Sequence, residues 1–271
     1  MSDKYCVIGN PIAHSKSPEI HAAFAVQTGQ DIVYERRLAP LDGFAATVRQ
    51  LVADGYRGAN VTVPFKLEAA QLATSLAERA RAAGAVNTLV FRDGEIIGDN
   101  TDGPGLVADI VRNAGVALAG KRILLLGAGG AARGALLPLL QQGPHSIVVA
   151  NRTRATAEAL VAHFAPWAQQ LAVCGFDEIA APFDVVINAT SASLSAAMPP
   201  VPATAFCQDT LALDMMYGNK PTVFMEFAAA HGATTRDGLG MLVEQAAEAF
   251  AIWRGVRPET ATVLNEMRNK Q

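Results

Sequence analysis

Hydrophobic and polar positions fall in short blocks along this chain, and their period switches repeatedly between that of a strand and that of a helix. Residues 5–9 form a compact apolar run ending at Gly9, which predicts a strand. Segments with apolar residues every three or four positions predict helices over 18–27, 41–54 and 67–83, and strands over 32–38 and 58–63 lie between them. Repetition of this kind points to parallel βαβ units. Residues 86–92 and 96–99 flank Asp93-Gly94, a pair that takes up positive φ readily, so they predict a hairpin.

After Asp102 the pattern restarts. A helix over 106–114 leads to the continuous apolar run from Ile123 to Leu126, which reads as a strand buried on both faces. That run stops at Gly127 and opens into an Ala/Leu helix. Further strands are predicted over 146–150, 171–174, 185–188 and 210–214, and residues 239–267 read as helical apart from Gly255 and Pro258. At roughly 150 residues per domain, 271 residues make about two domains. The polar stretch at 100–104 is the natural boundary, and the fold class is α/β.

Composition narrows the possibilities. Hydrophobic residues at 51% and charged residues at 17% suit a large core and exclude a disordered chain. The net charge of -3, from 22 basic and 25 acidic residues, speaks against a nucleic-acid partner. Cys6, Cys174 and Cys207 are far apart and lack metal spacing, as expected of reduced thiols in the cytoplasm. Neither a signal-peptide pattern nor an apolar stretch near the roughly 20 residues of a spanning helix is present, so no membrane partner is expected. The N-x-T triplets at Asn60, Asn151 and Asn188 therefore need a reason other than glycosylation. All three fall at predicted strand C-termini, where ligand-facing Asn is useful.

The sharpest chemical signal is Gly127-Ala128-Gly129-Gly130-Ala131-Ala132, which fits G-x-G-x-x-A between a strand and a helix. Its glycines permit a tight turn and let backbone N–H groups approach a pyrophosphate, helped by the helix dipole. The next strand ends in Asn151-Arg152-Thr153-Arg154, with no Asp or Glu to accept from a ribose 2′-OH. Two guanidinium groups suit a 2′-phosphate, so NADP is expected over NAD. Asn188-Ala189-Thr190-Ser191 ends another apolar strand and would line the nicotinamide side.

The N-terminal half carries different chemistry. Ser15 and Ser17 flank a predicted helix start; one of them could cap it, and together they could hold a small carboxylate. In Asn60-Val61-Thr62-Val63-Pro64-Phe65-Lys66, strand alternation would send Asn60, Thr62 and Pro64 to one face. Lys66 follows among apolar neighbours; most lysines are simply solvated, but this setting allows a tuned amine. Asn87-Thr88 and Asn100-Thr101-Asp102 add short polar groups at strand ends.

Taken together these segments resemble the shikimate dehydrogenase family. The likeness rests on Ser15-x-Ser17, Asn60-x-Thr62-x-Pro64-x-Lys66, Asn87-Thr88, Gly98-x-Asn100-Thr101-Asp102, the Gly127 loop with Arg133, and Asn151-Arg152-Thr153. Asp214-Met215-x-Tyr217 and Asp237-Gly238-x-x-Met241-Leu242-x-x-Gln245 complete it, in the family's order and over nearly the whole chain. The resemblance implies NADPH-dependent reversible reduction of 3-dehydroshikimate to shikimate, a step of chorismate and aromatic amino acid biosynthesis. It implies Lys66 and Asp102 as the catalytic pair and Ser15 and Ser17 on the substrate carboxylate, with Tyr217 near it. Asn60, Thr62, Asn87 and Gln245 would hold the ring hydroxyls. Gly127, Ala128, Gly129, Gly130, Ala131 and Arg133 would carry the pyrophosphate, and Asn151, Arg152, Thr153 and Arg154 the adenosine phosphate. Thr190, Met215, Gly238 and Met241 would flank the nicotinamide.

The resemblance also implies an N-terminal substrate domain over 1–101, completed by C-terminal helices at 238–271, and a Rossmann-type NADP domain over 102–237, with the site in a cleft. The protein would act as a monomer or homodimer on a small molecule. No metal is expected, since His14 and His21 have no partner at ligand spacing. A quinate-preferring enzyme of the same fold, a non-catalytic NADP-binding sensor and a glutamyl-tRNA reductase relative are the rivals; intact Lys66 and Asp102 speak against the sensor, and the reductase's nucleophilic cysteine motif is missing here. The chain departs from the family's usual glycine-bearing turn at Ala192-Ser193-Leu194-Ser195, and the 218–221 loop is given no role.

Overall fold

A computed structural model describes residues 2–167, 170–192 and 197–270. The chain divides into two compact units. One comprises the residues up to Gly105 together with Val243–Met267; the other comprises Leu106–Leu242 with the chain's last residues.

The first unit runs β1 (Asp3–Gly9), α1 (Ser17–Thr28), β2 (Ile32–Leu38), α2 (Phe44–Ala53), β3 (Tyr56–Val61), α3 (Lys66–Leu72), β4 (Ser75–Leu76), α4 (Glu78–Ala83), β5 (Thr88–Arg92) and β6 (Glu95–Asp99). The start of α5 (Asp102–Ala108) closes that series. Its sheet has the order β2-β1-β3-β5-β6-β4. Strand β1 pairs in parallel with β2 and β3, whereas β5 runs antiparallel to both β3 and β6. The sheet is therefore mixed and not the purely parallel arrangement that strand–helix repetition suggests. The hairpin responsible turns at Asp93 (φ 53°) and Gly94 (φ 81°), the two positive φ values a tight two-residue turn requires. Phe44, Val48, Leu51, Val61, Phe65 and Leu89 are among the buried residues of its core.

The second unit runs β7 (Arg122–Leu126), α6 (Gly130–Leu140), β8 (Ser146–Ala150), α7 (Arg154–Phe164), β9 (Leu171–Cys174), β10 (Val185–Asn188), β11 (Leu211–Asp214), α8 (Val223–Ala230) and β12 (Thr234–Arg236). All of its strand pairs are parallel, in the order β12-β11-β10-β7-β8-β9. Read from β9, with β7 as the first strand, this is the 3-2-1-4-5-6 order of the doubly wound dinucleotide fold. Ile123 to Leu126 are fully buried, which accounts for their unbroken apolar run. Two helices end the chain, α9 (Leu239–Arg254) and α10 (Ala261–Asn269).

Several local expectations give way to long-range pairing. The single helix expected over 67–83 is broken into α3 and α4, because residues 74–77 pair with the free edge of β6. Thr74 N donates to Ile96 O (2.8 Å) and Ala77 N to Gly98 O (2.9 Å). Two backbone bonds to a waiting edge outweigh the small propensity advantage of a few more helical residues. The helix expected over 106–114 begins earlier, at Asp102, and ends in a π-turn over Asp109–Asn113. Strand β3 ends at Val61, so Thr62 and Pro64 fall just beyond the strand to which alternation applies. Strand β12 is not legible in the hydropathy of Thr234–Arg236.

Candidate active site

Within the first unit the polar side chains singled out in the sequence gather at the strand ends. Phe65 is buried and stacks on Phe44 (centroids 4.9 Å apart), which anchors the first residue of α3, Lys66. Lys66 O accepts from Val86 N at 2.9 Å, placing that backbone beside Asn87. Asp102 begins α5, its N–H donating to Asn100 Oδ1 (3.1 Å), while Asn100 Nδ2 donates to Ala85 O (3.0 Å). These tethers bring Lys66 Nζ to 2.6 Å from Asp102 Oδ2, with both side chains partly buried. Asn87 Nδ2 donates to Asp102 Oδ1 (2.9 Å) and Thr101 Oγ1 (2.9 Å), and lies 3.3 Å from Gln245 Oε1.

Gln245 reaches this cluster from α9 because Gly105 leaves room for it. A Cβ at Gly105 would lie 2.6 Å from Gln245 N. Further along α9, Trp253 Nε1 donates to Leu89 O (3.0 Å), and a Cβ on Gly58 would meet both atoms at 2.5 Å. Helix α9 is thus fitted against α5 at Gly105 and against β3 and β5 at Gly58 and Leu89.

Asn60 is buried and its amide is hydrogen-bonded at both ends. Its Oδ1 accepts from Tyr34 Oη (2.7 Å), and its Nδ2 faces Asn87 O (3.2 Å) and Thr88 Oγ1 (3.1 Å). Thr62 lies just past β3, and its N–H donates to Ile8 O (2.9 Å). Neither Ser15 nor Ser17 caps α1 by a side-chain bond; Ser15 Oγ instead donates to Ser17 Oγ (3.2 Å) and accepts from Ser17 N (3.3 Å). Arg36 holds this loop from β2, with Nε donating to Ser15 O at 3.0 Å. His21, one turn on from Ser17, is fully buried and stacks on Tyr34 (4.2 Å between centroids, 8° between planes). Burial pulls its pKa down to about 3, so it is neutral at ordinary pH.

In the second unit the Gly127 loop connects β7 to α6. Gly127 has φ 101°, and a Cβ there would lie 3.1 Å from Thr190 Cγ2, which sets Thr190 beside the loop. Among the described residues, nothing lies within reach of a Cβ at Gly129 or Gly130, and no side chain caps the N-terminus of α6. A pyrophosphate would fit this cradle: small residues, the first-turn N–H groups and a helix N-terminus at the carboxyl edge of the sheet. Thr190 Oγ1 donates to Asn188 Oδ1 (2.7 Å), and Asn188 Nδ2 to Asp214 Oδ2 (3.1 Å), which links the ends of β10 and β11. Met215 follows β11, and a Cβ on Gly238 would collide with Met215 O, so only glycine fits there. Met241 lies in the first turn of α9, and Tyr217 follows Met215 in the same unit. Ser193, Leu194 and Ser195 of the divergent loop lie outside the described residues.

Beyond β8 the two arginines differ. Arg154 donates to Glu158 (3.0 Å) and Glu178 (2.9 Å). Arg152 is exposed and has no such partner among the described residues. Asn151 Nδ2 donates to Thr153 O (2.9 Å), shaping the turn.

Sequence reasoning missed Tyr34, Arg36 and Gly105. The period of two in 32–38 does place Tyr34 and Arg36 on one face. Which face meets the serines depends on the parallel pairing of β1 with β2, and local pattern carries no such information.

Three family models match the chain: the shikimate dehydrogenase substrate binding domain over residues 7–89, shikimate/quinate 5-dehydrogenase over 109–198, and the shikimate 5′-dehydrogenase C-terminal domain over 238–268. A shikimate dehydrogenase (NADP(+)) of Janthinobacterium sp. (strain Marseille) is 63% identical over 269 residues, covering 99% of this chain and 98% of the relative. The crystal structure of an Ael1 enzyme from Pseudomonas putida superposes with a TM-score of 0.95 at 49% identity, covering 98% of each chain. Shikimate 5-dehydrogenase from Thermus thermophilus, in complex with NADP(H) and shikimate, gives a TM-score of 0.88 at 31% identity, covering 99% of this chain and 100% of that one. With a Lys–Asp pair in one unit, a doubly wound sheet in the other and likeness along almost its whole length, the chain belongs to the shikimate dehydrogenase family.

Proposed function

We propose that this chain reduces 3-dehydroshikimate to shikimate with NADPH, and runs the reverse oxidation, with Lys66 and Asp102 handling the proton. The observation that carries this reading is the 2.6 Å pair between Lys66 Nζ and Asp102 Oδ2, set among Asn87, Thr101 and Gln245. The names of its relatives and the Thermus complex with NADP(H) and shikimate support the substrate and cofactor. The first unit is the substrate domain and the second the NADP domain.

NADPH, when bound, supplies the hydride. As the ketone carbon accepts it, negative charge builds on the carbonyl oxygen, and the Lys66 ammonium donates a proton there. Asp102 accepts from Lys66 and keeps the ammonium oriented. In the oxidative direction Lys66 takes the hydroxyl proton while the carbon loses hydride. Ser15 and Ser17 bind the carboxylate with Tyr217 nearby, and Asn60, Thr62, Asn87 and Gln245 bind or orient the ring hydroxyls. Gly127 to Ala131 and Arg133 hold the pyrophosphate, with Thr190, Met215, Gly238 and Met241 toward the nicotinamide. Arg152 meets the 2′-phosphate within the turn Asn151–Arg154. The chain works in the cytoplasm, where its three unbridged cysteines stay reduced, as a monomer or homodimer.

The test is spectroscopic: purified protein with shikimate should reduce NADP, with quinate and NAD as comparisons. No NADP reduction, or turnover confined to NAD, would refute the reading.

A further inference from the structure

We propose that Tyr34 is a positioning residue for this reaction: its hydroxyl heads a one-way hydrogen-bond chain that runs through Asn60, Thr88 and Asn87 and ends on Asp102. The proposal rests on the reading of Lys66 and Asp102 given above.

Each junction of the chain passes a donor in the same direction. Tyr34 Oη donates to Asn60 Oδ1 (2.7 Å), and Asn60 Nδ2 donates to Thr88 Oγ1 (3.1 Å). Thr88 Oγ1 then donates to Asn87 Oδ1 (2.9 Å), and Asn87 Nδ2 to Asp102 Oδ1 (2.9 Å). The other carboxylate oxygen receives Lys66 Nζ. A carboxamide has one accepting end and one donating end, and a hydroxyl has a single proton, so the direction at one junction sets the next. Two backbone groups impose the same polarity in the interior. Thr101 N donates to Asn87 Oδ1 (2.8 Å), and Asn87 O accepts from Asn60 Nδ2 (3.2 Å). Reversal would set Asn87 Oδ1 against the Asp102 carboxylate; Thr88 Oγ1 also lies 3.4 Å from Thr101 Oγ1, a longer branch off the same chain.

The head of the chain is held rigidly. The Tyr34 ring stacks on His21, which is buried, neutral and packed against Trp253 and Phe250. A neutral imidazole leaves no competing charge beside the phenol. Asn60, Asn87, Thr88 and Thr101 are themselves buried, where aligned bonds polarise one another and misalignment is costly. Tyr34 therefore acts on Asp102 through the three side chains between them.

Tyr34→Phe and Thr88→Val each remove one donor from the chain at little change in volume. Each should lower kcat for shikimate about ten-fold, the scale of one buried hydrogen bond, with KM for NADP unchanged. The double variant should fall no further than about ten-fold, since either break interrupts the same chain; independent packing effects would multiply to about a hundred-fold. In NMR spectra of the folded protein, the Asn87 side-chain amide resonances should shift in Tyr34→Phe. Wild-type kcat in the single variants, a multiplied loss in the double, or unmoved Asn87 amide signals would overturn the proposal. If Tyr34→Phe does not fold, Thr88→Val alone decides through kcat and the same amide signals. Wild-type protein inactive with shikimate and NADP would strike the functional reading, whereas the amide signals judge the chain independently of it.

Discussion

Lys66 and Asp102 are 36 positions apart, yet Nζ and Oδ2 lie 2.6 Å from each other, each residue opening its own helix. The pair is made by backbone tethers on both sides, Val86 N to Lys66 O and Asp102 N to Asn100 Oδ1, so the side chains need little ordering of their own. If Lys66 supplies the proton, Lys66→Met should lower kcat for shikimate by ~10²–10⁴-fold, the usual worth of a general acid–base group. NADP affinity, measured by calorimetric titration, should stay as in the wild type. Turnover close to wild type would rule out the assigned role.

The two arginines after β8 should not be equivalent. Arg154 is tied to Glu158 and Glu178, whereas Arg152 has no such tie among the described residues. Arg152→Ala should lose about 1.5–3 kcal/mol of binding to the 2′-phosphate, seen as a KM for NADP raised roughly ten- to a hundred-fold with KM for NAD little changed. Arg154→Ala should move the NADP/NAD ratio by less than Arg152→Ala does. The reverse ranking would place the phosphate on Arg154.

His21 gives the fold a dependence on pH. Its pKa is about 3 in the folded chain against an ordinary 6.5, because burial disfavours the imidazolium. As pH falls below about 6.5 the unfolded chain takes up this proton first. The contribution of His21 to stability is therefore complete above about 6.5 and is lost as pH falls toward 3, by up to about 1.4 kcal/mol per pH unit. Urea unfolding of His21→Phe should show a shallower loss over this window than the wild type. Parallel stability profiles would exclude His21 as their source.

A buried ion pair supports the segment leading to Gly238. Asp109, fully buried in the π-turn after α5, accepts from Arg236 Nη2 (2.6 Å) and Nε (3.2 Å) at the end of β12. A Cβ on Gly240 would collide with Asp109 Oδ1, so this packing also demands glycine at 240. Asp109→Ala leaves the guanidinium without its partner and should cost about 3–5 kcal/mol in urea unfolding. Asp109→Leu combined with Arg236→Met should cost less than Asp109→Ala, because no charge is then stranded. A loss under about 1 kcal/mol in Asp109→Ala would show that solvent reaches Arg236 and screens it.

Much of the chemistry could be read from local pattern. The Gly127 loop needs only an apolar strand before it and a helix after it, and both are legible in the periodicity. Asn188 ends β10, and Asn151 follows β8 directly, as the strand-end reading of those residues requires. Lys66, Asn87 and Asp102 are each visible as polar residues at strand or helix ends. Their convergence is not, because it depends on the antiparallel return of β5 and β6 beside β3.

Sequence by itself determined the features whose interactions are local: the Asp93-Gly94 turn, the buried runs of the parallel sheet and the glycines of the cofactor loop. Backbone φ preference and side-chain period act over a few residues, so a few residues suffice to reveal them. Tertiary structure alone decided where partners distant in the chain compete or meet. It broke the helical pattern of 67–83 to satisfy the β6 edge, seated Gln245 against Gly105, and tied Arg154 to Glu178. It also gave Tyr34 its place at the head of a chain ending on Asp102. Each of these rests on a hydrogen bond, ion pair or steric fit between groups from different elements, and such a fit exists only once the elements have packed.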